Sequence, residues 1–344
     1  MALDLKISVI IANYNYGKYV GDAIQSVLNQ RYEHCEVIVV DDGSSDNSWE
    51  IISSFSKVKA LRIKNSGQLA ACRAGLREAS SPFVMFLDAD DKLKPGSLIQ
   101  IATRLDPSVA KLQFSLTRID LHGQFVARAS PSLKNFTDKG ELAREILKNG
   151  TYITPPTSGN VFRRDVAELI EEVNYERVVD GVILFAAPFM GTVISLSDEL
   201  GCYRVHGSNH SGGGKPPNLE AVDAELKRYC ERLEHLRNIV FRLRPELKLV
   251  SIGSGFFYLE RSFYRKIVLN ERPSLSLCSR LLYALLTHNI NFRNKVGLII
   301  AIILMAALPS SRARAILNYR FQAEQRSFSG LLYIALSGEQ KRSP

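Results

Sequence analysis

The sequence predicts an α/β domain built on a mostly parallel sheet, followed by a basic, mainly helical C-terminal region. Three observations predict it. Short apolar runs alternate with amphipathic stretches from Ile7 to Asp91, the pattern of parallel strands joined by right-handed crossovers. The fourth apolar run, Phe83 to Leu87, leads straight into Asp88-Ala89-Asp90-Asp91, and in open α/β sheets ligands bind beyond the carboxyl ends of the strands. From Leu219 onward, apolar residues recur at alternating steps of three and four, the spacing of one helix face.

Taken in order, Ile7 to Ala12 is an apolar strand. Lys18 to Asn29 carries a helical stripe of Val20, Ala23, Ile24, Val27 and Leu28. Glu36 to Val40 is a second strand, and Asp46 to Phe55 a helix with Ser45 or Asp46 as its N-cap. Lys59 to Ile63, Gln68 to Ala79 and Phe83 to Leu87 complete the run as strand, helix and strand. Beyond Asp91, Lys111 to Leu116 reads as a strand, and Asp138 to Lys148 and Asp165 to Val173 as short helices. Asp180 to Met190 is apolar with one charge and reads as a buried helix; Thr192 to Leu196 and Leu200 to Val205 read as strands. His206 to Pro217 is polar and rich in glycine and proline, a loop and domain boundary. The expected division is residues 1–215 and residues 216–344.

In the second part, Leu219, Val222, Leu226, Tyr229, Leu233, Leu236 and Val240 form a sustained stripe. It reads as a long helix packed on the first domain, with a dimerising coiled coil as the other option. Val296 to Leu308 is an uncharged, almost wholly apolar segment with Arg293 and Lys295 before it and Arg312 and Arg314 after it. As a helix it would be about 20 Å long, short of the roughly 30 Å hydrocarbon core of a bilayer. The expectation is a helix lying in a membrane interface, with burial in a helical bundle as the alternative.

Of 344 residues, 46% are hydrophobic, enough for one large or two smaller domains. The net charge of +9 is unevenly placed: residues 1–219 hold 24 Lys/Arg against 25 Asp/Glu, and residues 220–344 hold 20 against 10. An anionic partner is expected for the second part, a lipid surface before nucleic acid, for which no motif speaks. Five cysteines without a C-x-x-C spacing read as reduced, and Met1 to Lys6 do not form a signal peptide. Both favour a cytoplasmic protein, and the basic second part would place it peripherally on the inner face of the cytoplasmic membrane.

The acidic turn carries the chemistry. Three carboxylates within four positions repel one another unless a cation sits among them. Oxygen-only ligands suit a hard divalent ion, Mg²⁺ or Mn²⁺. At the end of the second strand, Asp41-Asp42-Gly43 places a carboxylate where a base or ribose could be held, and Asn13-Tyr14-Asn15-Tyr16-Gly17 adds an aromatic face at the same edge. Neither G-x-G-x-x-G after the first strand nor G-x-x-x-x-G-K-[ST] is present, which argues against a dinucleotide oxidoreductase and a P-loop NTPase.

Ser8 to Asn15 (SVIIANYN), Val39 to Asp46 (VVDDGSSD), Asn65 to Gly75 (NSGQLAACRAG) and Met85 to Asp91 (MFLDADD) follow one another as in glycosyltransferase family 2, and Cys202 to Ser211 (CYRVHGSNHS) resembles the segment that closes that family's catalytic domain. The resemblance covers about residues 5–215. It implies the GT-A fold, a Rossmann-like nucleotide-diphospho-sugar transferase sheet, and inverting, metal-dependent transfer from a nucleoside-diphosphate sugar. Carried over, it gives Ala12, Tyr14, Asp41, Asp42, Gln68, Arg73 and Asp88 to the donor, Asp90 and Asp88 with His206 to the metal, and Asp180 to the catalytic base. Where the family often has Pro this chain has Ala12, and where it often has Arg-Asn it has Cys72-Arg73; Val179-Asp180 leaves one carboxylate in place of two.

The expected activity is transfer of a sugar, from a UDP-sugar by default, to a hydroxyl of a glycan or lipid-linked acceptor in cell-surface polysaccharide synthesis. A homodimer is a further possibility. The competing readings are an inactive sugar-nucleotide-binding scaffold of the same fold and a nucleotidyltransferase; the latter lacks its Gly-rich, basic loop at Asn13 to Gly17.

Overall fold

The computed structural model describes residues 5–176, 178–179, 181–206, 216–287, 292–321 and 327–337. The chain divides into two compact units, one of Met1–Ile146, Thr151–Ser208 and His235–Lys248, the other of Leu147–Gly150, Asn209–Glu234 and Leu249–Pro344.

The first unit begins with β1 (Ile7–Asn13), α1 (Gly17–Leu28), β2 (Cys35–Asp41), α2 (Ser48–Ser53), β3 (Lys59–Arg62), α3 (Gln68–Glu78) and β4 (Phe83–Asp88). It continues through β5 (Lys92–Leu93), α4 (Ser97–Ala102), β6 (Val109–Ile119), β7 (Phe125–Ala127), β8 (Phe136–Asp138) and α5 (Glu141–Asn149), whose last turn belongs to the second unit. Next come β9 (Asn160–Arg163), α6 (Arg164–Ala167), α7 (Val182–Met190) and β10 (Thr192–Arg204). All ten strands form one sheet in the order β3-β2-β1-β4-β9-β6-β10-β5, with β7 on β6 and β8 on β10.

The α/β architecture matches expectation, but the sheet is mixed. β1 to β4 are parallel, and β9 enters antiparallel between β4 and β6. β9 has only four residues, too short for a periodic signal; its place is set by partners on both sides. The two strands expected over 192–205 are one strand, β10, whose register against β6 shifts between Leu196 and Glu199 and again between Glu199 and Gly201. Bulges of this kind absorb the polar Ser197-Asp198-Glu199 without ending the strand. The helix expected over 165–173 is a short α6 followed by a 3₁₀ turn, Glu168–Glu172. Ser48–Ser53 is shorter than the expected helix at both ends; Asp46 lies outside it and accepts from Ser48 N at 3.0 Å.

Strands β1 and β4 are buried along nearly their whole length, as parallel strands covered on both faces must be. Their side chains and those of α1 and α4 fill the core, with Val9, Ile11, Ile24, Phe83, Met85, Leu98 and Ile101 at its centre. α3 lies close on β1 at Gly75, where a Cβ would come 2.5 Å from Ile10 Cγ2. On β6, the buried Lys111 donates three hydrogen bonds from Nζ, to Gln113 Oε1 at 3.0 Å, Tyr152 OH at 2.9 Å and Thr154 Oγ1 at 2.8 Å.

The second unit is helical. Its core joins α9 (Phe256–Val268), α10 (Leu275–Thr287), α11 (Phe292–Ala307), α12 (Ser310–Phe321) and α13 (Phe328–Ser337) through Leu259, Phe263, Leu281, Leu285, Ile302, Met305, Ile316 and Leu317. α8 (Leu219–Leu243) precedes them, its residues from His235 onward belonging to the first unit. Of its expected stripe, Val222, Tyr229, Leu233, Leu236 and Val240 are buried. Val296 to Leu308 is not exposed as a whole: Leu298, Ala301, Ile302 and Met305 are core residues, while Val296 and Ile303 face solvent. No helix among the described residues is long and apolar enough to cross a membrane.

The starts of three strands are tied at one oxygen. Glu36 Oε1 on β2 accepts from Ser8 Oγ on β1, and from Ser80 N (2.7 Å), Ser80 Oγ (3.1 Å), Ser81 N (3.0 Å) and Ser81 Oγ (2.8 Å), just before β4. Burial alone would raise this carboxyl; the serine hydrogen bonds overcome it and hold it at about 2 against an ordinary 4.5. A carboxylate depressed in the folded state contributes stability above its unfolded value and loses it as pH falls through the folded one. Glu36→Gln is therefore expected to lower Tm by a constant amount at neutral pH, and the gap from wild type should close between pH 4.5 and 2. Melting curves across that range check it; a gap independent of pH would show that the charge is not what holds the serines.

Candidate active site

The site edge is made by the carboxyl ends of β1, β2 and β4. Register sets Ala12 opposite Asp88 on one side and Val40 on the other, and Asn13 opposite Asp41. Ala12, Asp41 and Asp88 therefore reach the same rim, as parallel strands in register require. Asp41 is buried and accepts from Asn13 Nδ2 at 3.0 Å and from Ser44 Oγ, with Arg62 Nε 3.2 Å away. Asp42, also buried, accepts from Ser66 N at 2.7 Å and Gly67 N at 2.8 Å. It thus pins the loop before α3 to the end of β2. Gly43 sits at φ +71°, and a Cβ there would meet the amide nitrogen of Asn65 at 2.8 Å, so glycine is required on both counts. Tyr14 stands exposed at this rim.

Gln68, at the start of α3, donates from Nε2 to Asp88 Oδ1 at 2.7 Å. Five residues along the same helix, about 140° around its axis, Arg73 points elsewhere. Its guanidinium donates to the carbonyl oxygens of Ile170 (2.7 Å), Glu171 (3.4 Å) and Val173, ending the 3₁₀ turn. Arg73 is thus placed as a clamp on 170–173 and not at the rim with the other donor-site candidates.

Beyond β4 the chain turns, with Asp91 N donating to Asp88 O at 3.0 Å. Asp88, Asp90 and Asp91 each bring a carboxylate oxygen to within 4.8 Å of the others. Asp88 and Asp90 are partly exposed; Asp91 lies beneath them, buried. Asp91 Oδ2 accepts from Ser158 Oγ at 2.6 Å, and its Oδ1 from Arg204 N at 2.9 Å. Ser158 Oγ in turn accepts from Asp88 N at 3.1 Å. Burial first, and then the charge of Asp90, push the Asp91 carboxyl well above the usual carboxylate range. The Tyr16 phenol is pushed up to about 12 by burial and by Asp90 and Asp88. Both shifts report a concentration of negative charge in a partly dry place.

Asp90 is held from two sides. Its backbone oxygen accepts from Arg204 Nε at 2.8 Å, and its Oδ2 from His206 Nε2 at 2.7 Å. Arg204 is almost fully buried; it also donates to the carbonyls of Asp120 (3.1 Å) and Leu121 (3.2 Å), and its guanidinium lies 4.6 Å from the Tyr19 ring centre. The His206 ring stacks on Tyr19 at 6.0 Å and 13°. His206 therefore lies at the acidic turn. Ser158, Arg204 and Tyr19 are site residues that residue-by-residue reading missed, and Tyr16 stood only within the aromatic segment Asn13 to Gly17. Arg204 stood in the Cys202 to Ser211 motif; the only local signal near Ser158 was the Pro155-Pro156 turn. Asp180 lies outside the described residues.

Arg204→Met should destabilise the fold, because the part-buried carbonyls of Asp90, Asp120 and Leu121 lose their donor, and an acceptor orphaned away from water costs about 1–3 kcal/mol. Urea denaturation measures this; a variant as stable as wild type would mean that water serves the three carbonyls equally well.

The sequence model described as Glycosyl transferase family 2 matches residues 8–169. An uncharacterized glycosyltransferase of Nostoc sp. is 38% identical over 216 residues, covering 60% of this chain and 66% of that protein. The minor teichoic acid biosynthesis protein GgaA of Bacillus subtilis is 42% identical over 101 residues, 26% of this chain and 23% of GgaA. The chain thus spans two thirds or less of the length of these relatives. Among solved structures, S. aureus TarS 1–349 in complex with UDP-GlcNAc superposes with a TM-score of 0.52 over 97% of this chain and 89% of that one, at 16% identity, a likeness of fold. The motifs at the ends of β1, β2 and β4 lie inside the matched region, and residues 8–169 form a glycosyltransferase family 2 domain.

Proposed function

We propose that this protein is an inverting glycosyltransferase that moves a sugar from a nucleoside-diphosphate donor to a hydroxyl of a glycan or lipid-linked acceptor in cell-surface polysaccharide synthesis. The observation that carries the reading is the braced acidic turn, Asp88, Asp90 and Asp91 at the end of β4. A UDP-sugar is the donor we favour, since TarS is described in complex with UDP-GlcNAc and with UDP. The cell-surface setting draws on the teichoic acid role in the name of GgaA.

The turn fits a divalent cation. Its donors are all carboxylate oxygens, two of them partly exposed over a third that is dry and resists ionisation. Asp90 and Asp88 would hold Mg²⁺ or Mn²⁺, with His206 as a further ligand or as the group that orients Asp90. When bound, such an ion supplies Lewis-acid stabilisation to a diphosphate leaving group.

The chain's own residues account for the rest. The rim of Ala12, Asp41, Asp42 and Tyr14 receives the base and ribose, and Gln68 keeps Asp88 oriented. Asp180 takes the proton of the acceptor hydroxyl as its oxygen bonds to the anomeric carbon. The bond from that carbon to the diphosphate oxygen breaks, its electron pair leaving with the diphosphate. One displacement without an enzymic nucleophile inverts the anomeric centre.

Asp90→Asn should abolish transfer, and excess EDTA should silence the wild type, with Mn²⁺ or Mg²⁺ restoring it. Undiminished turnover in EDTA would remove the cation from the mechanism. Asp180→Asn should leave donor affinity by calorimetry near wild type while turnover falls about 10²–10⁴-fold. Loss of donor binding in that variant would place Asp180 in the donor site and leave the base unassigned.

A further inference from the structure

α11 is apolar from Val296 onward, and the second unit buries one side of it most fully. Taking about 100° per residue, its buried residues Leu298, Ala301, Ile302 and Met305 fall on one side. Phe292, Val296 and Ile303 fall on the other, with Phe292 81% and Ile303 51% exposed. α10 repeats the arrangement: Leu281 and Leu285 are buried, while Leu275, Tyr283 and Leu286 share the opposite side at 88%, 71% and 59% exposure. Lys295 Nζ, on the first turn of α11, donates to the carbonyl of Leu286 at 2.8 Å near the end of α10, so the helices adjoin at the ends that carry the exposed Leu286 and Phe292. Isolated exposed apolar side chains are ordinary, but a contiguous set of large ones marks an interaction surface.

The charge of the surrounding chain selects the partner. Residues 272–323 contain seven Arg/Lys and no Asp or Glu. Arg272, just before α10, Arg280 on α10 and Arg293 on α11 are exposed. We infer that the face formed by the bare sides of α10 and α11 docks on an anionic lipid bilayer. Large apolar side chains rimmed by cationic ones, with no anion among them, suit the boundary between acyl chains and phosphate headgroups. α11, with 16 residues, is about 24 Å long and too short to span. It therefore lies along the surface, with Phe292, Val296 and Ile303 downward. A second copy of the chain would press two acid-free cationic faces together and is disfavoured by that repulsion. This inference does not rest on the transfer reading, since none of these residues belongs to the acidic turn or its rim.

The test uses the full chain and vesicles of phosphatidylcholine with and without phosphatidylglycerol. The wild type should co-sediment with the anionic vesicles far more than with the neutral ones, and raised salt should release it in part. Replacing Arg272 and Arg293 with Gln should weaken binding about five-fold for each arginine. The exposed-side variant Tyr283→Ser/Leu286→Ser/Phe292→Ser should fail to bind while melting as the wild type does. Equal sedimentation with both vesicle types, or none with either, overturns the inference. So does undiminished binding of the triple serine variant. If light scattering without lipid finds a dimer that the serine variant dissociates, the face belongs to a second copy and the lipid assignment falls.

Discussion

Everything at the acidic turn depends on where Asp91 is put. A carboxyl group with almost no exposed surface is costly to bury unless its oxygens are satisfied. Ser158 and the backbone of Arg204 satisfy them, and these lie far apart in sequence: one before β9, the other at the end of β10. Asp91 thus ties the turn after β4 to the segment before β9 and to the end of β10. It also delivers the Arg204 side chain under the backbone of Asp90 and His206 onto its carboxylate. The two outward carboxylates are thus aimed by a group that itself faces inward.

The same division of labour runs along the rim. Asp41 and Asp42 are spent largely on the protein, one on Asn13 and Ser44, the other on the amides of Ser66 and Gly67. Charge-assisted hydrogen bonds of this kind are the stronger class. They make the loops after β2 and before α3 one braced ledge, and leave the exposed Tyr14 ring as the surface offered outward.

The parallel half of the fold was legible because each of its strands is an apolar run buried on both faces, a signal that needs no partner to be read. β9 was not legible: Asn160–Arg163 becomes a strand through β4 and β6 on its two sides. The polar Ser197-Asp198-Glu199 concealed the continuity of β10, since a bulge looks like a break when the partner strand is unseen. At the site, Asp88 and Asp90 announced themselves by following a buried strand. Arg204 did not announce what it holds, because an arginine beside a loop reads by itself as a solvated charge. Arg73 shows the limit of carrying a motif across a one-residue shift. On a helix one position is about 100°, and the side chain ends on the carbonyls of 170–173.

Lys111 has an evolutionary consequence. Its Nζ donates to Gln113, Tyr152 and Thr154, while the Tyr152 hydroxyl donates to the carbonyl of Leu184 at 3.0 Å. A change to any one of these leaves an unmatched donor or acceptor in a dry place, so a lineage cannot drift through them one at a time without penalty. The set is inherited as a block. An apolar solution of equal volume, which such interiors often accept without loss, lies several simultaneous replacements away, so a polar centre once built into the sheet becomes hard for descent to remove.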